Sequence, residues 1–348
     1  MKFVILDVYP EKKHRLIKDT AGGYGTGNNF GKSLFSKLLN IYVDNSIGMP
    51  AIEIMYISSI LKENHSVHYT RNIKDKKINE SDFVILPSSI IAHETELLAL
   101  SNLENKKVFV TGGGSGIGAS IVEHFCEQGS EVYFIDLNVE ASNKLIELIK
   151  SKNLKVPTFI ECDLLNIKQL QDIIAKVISD NGPIEILINN AANDTRHAID
   201  DVTLEYWNER INVNLRHFFF AVQSVKKSMI ENKSGAIINM GSTSWMVGQG
   251  GMAAYTAAKS GVVGLTRSFA RDLGEFNIRV NSVVPGWVMT QRQIDMWLNA
   301  ESEIELMKRQ CLKQKLLPAE IAQAVLFFSS EQSSGCTNQS YVVDKGWL

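Results

Sequence analysis

The chain has 348 residues, enough for one large domain or two unequal ones, and 45% of them are hydrophobic, as in globular proteins with a sizeable core. The formal net charge is -2, so no overall basic field favours nucleic acid or an anionic membrane surface. No apolar run approaches the roughly 18 residues that a membrane-spanning helix needs, and we expect neither nucleic acid nor a membrane as a partner.

The first hundred residues carry a partial β/α pattern. Short apolar runs predict strands over Met1–Tyr9, Val67–Tyr69 and Phe83–Leu86. Apolar residues at helical spacing predict a helix over Pro50–Lys62. We therefore predict a partial β/α N-terminal extension over residues 1–104, with a long polar loop after its first strand.

Two patterns in this extension suggest ligands. The segment Gly25–Ser33 approaches the phosphate-binding pattern G-x-x-x-x-G-K-[ST], but Thr26 stands at the first glycine position, so we expect no nucleotide there. Residues 48–69, GMPAIEIMYISSILKENHSVHY, resemble half of the cobalamin-binding-like domain of radical S-adenosylmethionine enzymes. The chain lacks the CxxxCxxC and D-x-H-x-x-G signatures of those proteins. The resemblance thus implies a remnant or a partner-docking extension with neither chemistry.

From residue 105 onward, short apolar runs alternate with helical patterns such as Leu170–Ser179 and Ala257–Leu273. The runs that predict strands are Val108–Val110, Val132–Ile135, Thr158–Glu161, Ile184–Ile188, Ala236–Asn239, Arg279–Val284 and Tyr341–Val343. This alternation predicts an α/β fold with a doubly wound parallel sheet (Rossmann-type) over residues 105–348. In such folds, ligands bind at the carboxyl ends of the strands.

A glycine-rich turn joins the first of these strands to the following helix. Gly112, Gly116 and Gly118 lack a β-carbon, which lets the backbone approach a diphosphate, and the helix N-terminus offers free N–H groups. Because the spacing is G-x-x-x-G-x-G rather than G-x-G-x-x-G, the turn alone is a weak sign of a dinucleotide.

Asp136 strengthens the dinucleotide interpretation. It ends the second strand, eighteen residues after Gly118, where a carboxylate would accept hydrogen bonds from the adenosine ribose and repel a 2′-phosphate. Leu137 follows it, and the glycine loop contains no Arg or Lys that would attract such a phosphate. We therefore expect NAD rather than NADP. The alternative is that Asp136 only caps the next helix.

Tyr255 and Lys259 are four residues apart, which on a helix places both side chains on one face. A tyrosine with an unperturbed pKa of ~10 is a poor base at neutral pH, and a neighbouring ammonium favours the phenolate. Ser242 follows the strand Ala236–Asn239 and is a candidate hydroxyl donor to the substrate oxygen. Tyr255 is therefore a candidate general acid or base.

These residues stand within a series of motifs that resembles the short-chain dehydrogenase/reductase family. In chain order the motifs are TGGGSGIG (111–118), CDL (162–164), NNAA (189–192), NVNL (212–215), GSTS (241–244), YTAAK (255–259) and VVPGWVMT (283–290). The resemblance covers residues 105–348, and it implies a Rossmann-type dehydrogenase domain.

The resemblance implies a role for each matching residue. Ser242, Tyr255 and Lys259 would be the catalytic triad, and Asn214 would hold a water that links Lys259 to a proton relay. Lys259 would also reach the nicotinamide ribose, and Asp163 would bind the adenine amine. The implied cofactor-binding set is Gly112, Ser115, Gly116, Ile117, Gly118, Asp136, Leu137, Asp163, Leu164, Asn190, Ala191, Tyr255, Lys259, Val288 and Thr290.

Variable segments resemble one subgroup of this family, the NAD-dependent aldose 1-dehydrogenases that act on L-fucose, D-galactose, L-arabinose or D-xylose. These segments are NNAANDTRH (189–197), STSWMVG (242–248), RQCLKQKLLPAEIA (309–322) and VVDKGWL (342–348). A pyranose offers many hydroxyls and one apolar face, so polar groups and an indole suit it. The predicted substrate residues are Asn193, Arg196, His197, Ser244 and Trp245. Trp287 could stack on the sugar in place of Trp245 or belong to the core. The resemblance implies a substrate lid over Gln291–Ser302, and no role is assigned to Met296 or Trp297 within it.

The predicted reaction is oxidation of an aldose at C1 to the sugar lactone, with Tyr255 as general base, Ser242 stabilising the oxygen and hydride passing to NAD. Two alternatives remain open. One is a 3-oxoacyl carrier-protein reductase or another short-chain alcohol dehydrogenase. The other is an NAD-sensing binding protein that performs no reaction.

The cysteines Cys126, Cys162, Cys311 and Cys336 show no CxxC spacing, so we expect buried free thiols rather than disulfides, and no metal site. The apolar run at Phe3–Leu6 is too short for a signal peptide, and a cytoplasmic location follows as an expectation. The resemblance implies a homotetramer or homodimer.

Overall fold

A computed structural model of the chain describes the strands Lys2–Leu6, Ser66–Thr70 and Phe83–Ile85 and then residues 103–348. The chain divides into two units, Met1–Leu100 and Ser101–Leu348. This division falls close to the boundary predicted at residue 104.

The first unit contains a parallel three-stranded sheet. Its strands are β1 (Lys2–Leu6), β2 (Ser66–Thr70) and β3 (Phe83–Ile85), in the order β2-β1-β3. Phe3 pairs with Val67 on one side and with Phe83 on the other. The three predicted strands are present, whereas the predicted helix over residues 50–62 and the glycine-containing segment 25–33 lie outside the described residues.

The second unit is built on a parallel sheet of seven strands, as the alternation of strand and helix patterns predicts. The strands are β4 (Lys107–Thr111), β5 (Glu131–Asp136), β6 (Thr158–Glu161), β7 (Ile186–Asn189), β8 (Gly235–Met240), β9 (Ile278–Pro285) and β10 (Ser340–Val343). Their order is β10-β9-β8-β7-β4-β5-β6, and every pairing is parallel. The Rossmann-type prediction is therefore confirmed.

Helices connect these strands. They are α1 (Gly116–Glu127), α2 (Val139–Ser151), α3 (Ile167–Asn181), α4 (Leu204–Ile211), α5 (His217–Asn232), α6 (Ala253–Leu273), α7 (Gln291–Trp297), α8 (Ala300–Arg309) and α9 (Pro318–Ser329). The side chains of Asn138, Asn166 and Thr203 accept hydrogen bonds from backbone N–H groups in the first turns of α2, α3 and α4. Such caps fix where these helices begin. Helix α6 begins four residues before its predicted start, so its first turn includes Tyr255.

The chain reverses its direction of strand addition next to β4. From β4 it moves outward through β5 to β6, and it then returns to place β7 on the opposite side of β4. A crevice forms at such a switch point because the two flanking connections leave on opposite faces of the sheet. The carboxyl ends of β4 and β7, at Thr111 and Asn189, therefore mark the expected ligand cleft.

The sheet is buried on both faces. On β4, Val108 and Val110 face a cluster with α1 and α9, while Phe109 between them faces a second cluster with α3 and α5. All three side chains are fully buried. Successive side chains of a strand point to opposite faces, so a continuous apolar run is what a sheet covered on both sides requires.

The four cysteines are free thiols, but the prediction that all are buried is wrong for Cys311, which is exposed in the segment after α8. Cys336 is half-buried, and Cys126 and Cys162 are buried. Burial raises the pKa of Cys126 to about 12 and that of Cys162 to about 11, so both thiols are unreactive at neutral pH. Within the described ranges, no helix is both long and apolar enough to cross a bilayer.

Candidate active site

The glycine-rich turn between β4 and α1 is closed by backbone hydrogen bonds. The N–H groups of Gly112 and Gly113 donate to the Ile135 carbonyl at 2.8 and 3.1 Å. Gly112 has a φ of +66°, and a β-carbon on it would lie 2.7 Å from Ala191 Cα. A β-carbon on Gly118 would lie 1.8 Å from the Gly112 carbonyl oxygen. Both positions therefore require glycine for the turn to form.

Asn190 fixes this turn to the end of β7. Its Nδ2 donates to the carbonyl oxygens of Thr111 and Gly112 at 3.1 and 2.8 Å. In return, Thr111 Oγ1 accepts from the backbone N–H groups of Asn190 and Ala191 at 3.0 and 3.2 Å. The two strands at the switch point are thus bonded together immediately beneath the glycine turn.

Each oxygen of the Asp136 carboxylate accepts a hydrogen bond from a backbone N–H group. The Gly114 N–H donates to Oδ2 and the Asn138 N–H donates to Oδ1, each at 2.8 Å. Helix α2 is capped by Asn138, whose side chain accepts from the Ala141 N–H at 3.0 Å, so Asp136 is not the cap. An ionised carboxylate has about four lone-pair sites, and about two remain for a ligand. Leu137 beside it is 66% exposed.

The remaining predicted cofactor residues lie at neighbouring strand ends. Asp163 and Leu164 follow β6, and Asp163 is exposed, with Oδ1 accepting from the Leu165 N–H at 2.9 Å. Thr290 lies beyond the end of β9, and its methyl group packs close to the glycine turn. A β-carbon on Gly116 would lie 3.2 Å from this methyl group. A cradle of glycines, a helix N-terminus and a half-buried carboxylate at adjacent strand ends together fit a dinucleotide.

Lys259 lies on α6 and is 1% exposed. Its Nζ donates to the Met240 carbonyl oxygen at 2.8 Å, and it lies 5.2 Å from the Phe218 ring centroid and 5.7 Å from that of Tyr255. Burial lowers the pKa of Lys259 to about 7, and the charge of Asp194 opposes this effect. Lys259 is therefore an ammonium that loses its proton unusually easily.

Tyr255 and Ser242 meet across the cleft. Burial raises the pKa of the Tyr255 hydroxyl above its ordinary value, a hydrogen bond with Ser242 lowers it, and the charge of Asp194 raises it. Ser242 lies two residues beyond the end of β8, and its Oγ donates to Ser244 Oγ at 2.9 Å. Ser242, Tyr255 and Lys259 all line one cavity.

Asn214 lies in a widened π-helical turn, Asn212–Arg216, between α4 and α5. It is fully buried, and its Oδ1 accepts from the Asn193 N–H at 2.8 Å. Its Nδ2 donates to the carbonyl oxygens of Asn193 and Arg210 at 3.1 and 2.9 Å. Protein groups thus take both N–H donors of this amide and one of the two lone pairs of its oxygen, which leaves one acceptor site for the expected water.

The cavity has a volume of about 610 Å³ and runs from the glycine turn to α8. Of the predicted substrate residues, Arg196 and Ser244 line it. The guanidinium of Arg196 lies 4.1 Å from the ring centroid of Trp297, which also lines the cavity. An indole held by a cation in this way presents an apolar wall beside polar groups.

The structure does not bring Asn193, His197 or Trp245 to the cavity wall. Asn193 Oδ1 accepts from the N–H and the hydroxyl of Thr195. His197 Nε2 accepts from the Ala254 N–H at 3.4 Å, which leaves Nδ1 to donate to the Ala198 carbonyl at 3.1 Å. These two side chains shape the loop after β7 and hold the start of α6.

Further cavity residues were not assigned from the sequence. They include Asp194, Gln293, Asn299, Glu305, Arg309 and Trp347. Asp194 stands within the NNAANDTRH segment and Trp347 within VVDKGWL, and both segments carry the sugar dehydrogenase resemblance. The other four lie on or beside α7 and α8, whose amphipathic patterns do not reveal which polar side chains face a ligand. Among residues 103–348 and the three described N-terminal strands, no group of three or more His, Cys, Asp or Glu could hold a metal ion.

Comparison with known proteins agrees with this geometry. Residues 112–348 match the family model described as enoyl-(acyl carrier protein) reductase. The chain is 43% identical over 246 residues to D-xylose 1-dehydrogenase of Caulobacter vibrioides, covering 71% of this chain and 97% of that protein. It is 40% identical over 245 residues to a Rhizobium meliloti protein named a probable galactose dehydrogenase, covering 70% and 96%.

More distant relatives act on other substrates. A 3-oxoacyl-[acyl-carrier-protein] reductase of Chlamydia pneumoniae is 34% identical over 244 residues, covering 70% of this chain and 97% of that protein. Among solved structures, a Sinorhizobium meliloti protein provisionally named a short-chain alcohol dehydrogenase has a TM-score of 0.67 at 25% identity, covering 70% and 97%. A Beutenbergia cavernae protein, provisionally named an NAD(P)-dependent gluconate 5-dehydrogenase and crystallised with NADP, has a TM-score of 0.67 at 26% identity, covering 71% and 98%.

The family match, the sheet order and the shared cavity of Ser242, Tyr255 and Lys259 lead to one conclusion. The chain belongs to the short-chain dehydrogenase/reductase family, whose members are oxidoreductases that use NAD or NADP.

Proposed function

We propose that this protein is an NAD-dependent aldose 1-dehydrogenase that oxidises the anomeric carbon of a monosaccharide to give a lactone. The observation that carries the proposal is the meeting of Tyr255 and Ser242 in a cavity whose far walls contain Trp297 and Trp347 among polar side chains. Indoles suit the apolar face of a pyranose, and polar side chains suit its hydroxyls. The identity to D-xylose 1-dehydrogenase over 97% of that relative supports the same substrate class.

In this proposal Tyr255 takes the proton of the C1 hydroxyl, and Ser242 donates a hydrogen bond to the same oxygen. Bound NAD⁺ supplies the hydride acceptor and a positive charge. The C1–H bond breaks as hydride leaves, and the electrons of the O–H bond form the carbonyl of the lactone. Lys259 favours the phenolate in this proposal, because an ammonium near the Tyr255 ring stabilises a negative oxygen; its Nζ lies 5.7 Å from the ring centroid.

Asp136 supports NAD over NADP. The two backbone N–H groups that bind its carboxylate fix the orientation of that carboxylate. A ribose with free hydroxyls can donate to the remaining lone pairs, whereas a 2′-phosphate would meet a like charge.

A second candidate is a 3-oxoacyl carrier-protein reductase, which the identity to the Chlamydia pneumoniae enzyme favours. Such an activity would draw on NADPH, which Asp136 disfavours. A third is a sensor that binds NAD without turnover, and the complete set of Ser242, Tyr255, Lys259 and Asn214 argues against it.

The near-ultraviolet absorbance of reduced nicotinamide separates these candidates. The protein would be tested with NAD⁺ and NADP⁺ on D-xylose, L-arabinose, D-galactose and L-fucose, and with NADH and NADPH on an acetoacetyl thioester. We expect reduction of NAD⁺ by at least one aldose. Activity confined to NADPH and the thioester would contradict the proposal, and NAD binding without turnover of any substrate would favour the sensor.

Further features belong to this proposal. We propose residues 105–348 as the catalytic domain and residues 1–104 as an extension that is either a remnant or a partner-docking segment, in a cytoplasmic protein. A homodimer or homotetramer is proposed because Leu204, Trp207 and Phe219, on α4 and α5, are apolar and 69%, 39% and 42% exposed. Apolar side chains of this size on adjoining helices are typical of subunit interfaces.

A further inference from the structure

Asp194 joins two parts of the cleft that are far apart in the sequence. It lies in the loop after β7, lines the cavity, and accepts hydrogen bonds from two residues of α7. Gln293 Nε2 donates to Oδ2 at 2.6 Å, and Arg292 Nε donates to Oδ1 at 3.3 Å. The Asp194 side chain is only 23% exposed, so these bonds are partly shielded from water. Hydrogen bonds to a charged, shielded acceptor are stronger than those on an open surface.

Gln293 is itself fixed from the other side. Its Oε1 accepts from the indole N–H of Trp287 at 2.8 Å, and Trp287 lies two residues beyond the end of β9. The hydrogen-bonded series of side chains Trp287–Gln293–Asp194 therefore connects α7 both to the sheet and to the loop after β7. We call this series the latch. All three residues line the cavity.

Helix α7 depends on such external contacts. It has seven residues and none of them is buried. A helix this short does not persist in water on its own, and α7 buries no side chain that would hold it to the core. Its position over the cavity therefore rests on its Thr290 cap, on the latch, on the Arg292–Asp194 pair and on the contact between Trp297 and Arg196.

The negative charge of Asp194 also acts on the catalytic pair. It favours the ammonium form of Lys259 and the neutral form of Tyr255. His217, fully buried at the start of α5, lies beside Lys259, and Arg292 is paired with Asp194. The other charged residues that line the cavity are Arg196, Glu305 and Arg309. Burial lowers the pKa of His217 to about 3, so His217 stays neutral, and of the cavity charges it is that of Asp194 that shifts the pKa of Tyr255 and Lys259.

We propose that Asp194 is a positioning residue that holds α7 over the substrate cavity and at the same time sets the charge around Tyr255 and Lys259. The inference rests on the proposed function, because its kinetic tests use the aldose that the protein oxidises. It links the position of helix α7 to proton transfer, because the Asp194 carboxylate affects both.

Two variants test separately the two roles of Asp194, which are to hold α7 and to set the charge around Tyr255 and Lys259. Asp194→Asn keeps an oxygen that can accept from Gln293 but removes the charge. Tyr255 and Lys259 titrate as a coupled pair, and the loss of a nearby anion makes each proton easier to remove. Both limbs of the pH profile of kcat/KM should therefore move to lower pH, by roughly half a pH unit or more.

Gln293→Leu breaks the latch and leaves the charge in place. We expect KM for the aldose to rise roughly tenfold, as for the loss of a hydrogen bond to a charged group, while the pH profile stays where it is. Amide hydrogen exchange across Gln291–Trp297 should be faster in this variant without substrate. That readout does not depend on turnover.

Asp200→Asn is the matched control, because Asp200 lies in the same loop, is exposed, and makes no hydrogen bond or ion pair with any residue that the structure describes. It should leave KM, pH profile and exchange unchanged. The inference is overturned if Asp194→Asn keeps the wild-type pH profile, or if Gln293→Leu leaves both KM and exchange of α7 unchanged. If the wild type oxidises no aldose, the proposed function fails, and hydrogen exchange in Gln293→Leu still tests the latch.

Discussion

The Lys259 ammonium donates a 2.8 Å hydrogen bond to the main-chain carbonyl of Met240, and its side chain is almost completely buried. This bond joins helix α6 to the end of β8, two residues before Ser242. The serine and the Tyr255 helix are thereby held in one arrangement. A buried ammonium is costly, so its retention here fits a role in proton transfer rather than in stability.

Tyr255→Phe removes only the hydroxyl that is proposed to take the proton. Turnover should fall by about 10² to 10⁴, the range that general acid–base groups contribute, while NAD binding is kept. Binding can be followed by quenching of tryptophan fluorescence, and turnover by reduced nicotinamide. Tyr341→Phe, at a residue that is 56% exposed, is the matched control and should behave as wild type. Retained turnover in Tyr255→Phe would show that another group is the base.

Lys259→Met should change how stability depends on pH in the cofactor-free protein. The pKa of Lys259 is about 7 in the folded protein, against 10.5 for an ordinary lysine, so between these values the unfolded chain binds more protons at this site. The contribution of Lys259 to the free energy of unfolding therefore rises with pH between pH 7 and pH 10.5, by up to about 1.4 kcal/mol per pH unit. Below pH 7 this contribution is constant.

Urea unfolding of wild type and Lys259→Met at several pH values from 7 upward measures this contribution as a difference between the two proteins. The difference should move in favour of the wild type as pH rises. Lys226→Met, at an exposed lysine of α5, should give a curve parallel to that of the wild type. A parallel curve for Lys259→Met would mean that the pKa of Lys259 is not lowered in the folded protein.

Asp136→Asn should relax the choice of cofactor. The amide keeps an oxygen for one backbone N–H but loses the charge that repels a 2′-phosphate. We expect kcat/KM for NAD⁺ to fall roughly tenfold and NADP⁺ to become usable, consistent with a loss of about 1.5–3 kcal/mol for hydrogen bonds to a charged group. Asp172→Asn, on the exposed face of α3, is the control. An unchanged preference in Asp136→Asn would assign cofactor choice to other residues.

Gly118→Ala tests the cradle without altering any polar group. The added methyl would lie 1.8 Å from the Gly112 carbonyl oxygen, so the turn must open and cofactor binding should be lost. Gly264→Ala, in the middle of α6, meets no heavy atom within 4 Å and should bind NAD normally. It should also be about 0.5–1 kcal/mol more stable, because alanine favours a helix interior. Normal NAD binding by Gly118→Ala would rule out the glycine turn as the diphosphate site.

Local sequence patterns predicted much of this architecture. The apolar run Val108–Val110 indicated a strand buried on both faces, and the glycine spacing indicated the turn that follows it. The pair Tyr255 and Lys259 needed only the helical period to share one face. These features depend on neighbours within a few residues, so a single sequence carries them.

The parts that could not be predicted depend on contacts between distant segments. Gln293 and Asp194 are 99 residues apart, and nothing in either segment specifies that they are bonded. His197 is polar and close to the cofactor strand, which favoured a substrate role, yet its ring binds the start of α6. Asn214, in the π-helical turn, accepts a hydrogen bond from Asn193, 21 residues earlier, and no local pattern indicates that bond.

In the proposed reaction, hydride leaves the anomeric carbon of an aldose and reaches NAD⁺. Mass spectrometry of the reduced cofactor formed from an aldose carrying deuterium only at C1 tests this transfer directly. We expect NADH that carries one deuterium, together with a slower reaction for the labelled sugar and a lactone as product. Unlabelled NADH formed from the C1-deuterated sugar would contradict it, because the hydride would then have come from another carbon.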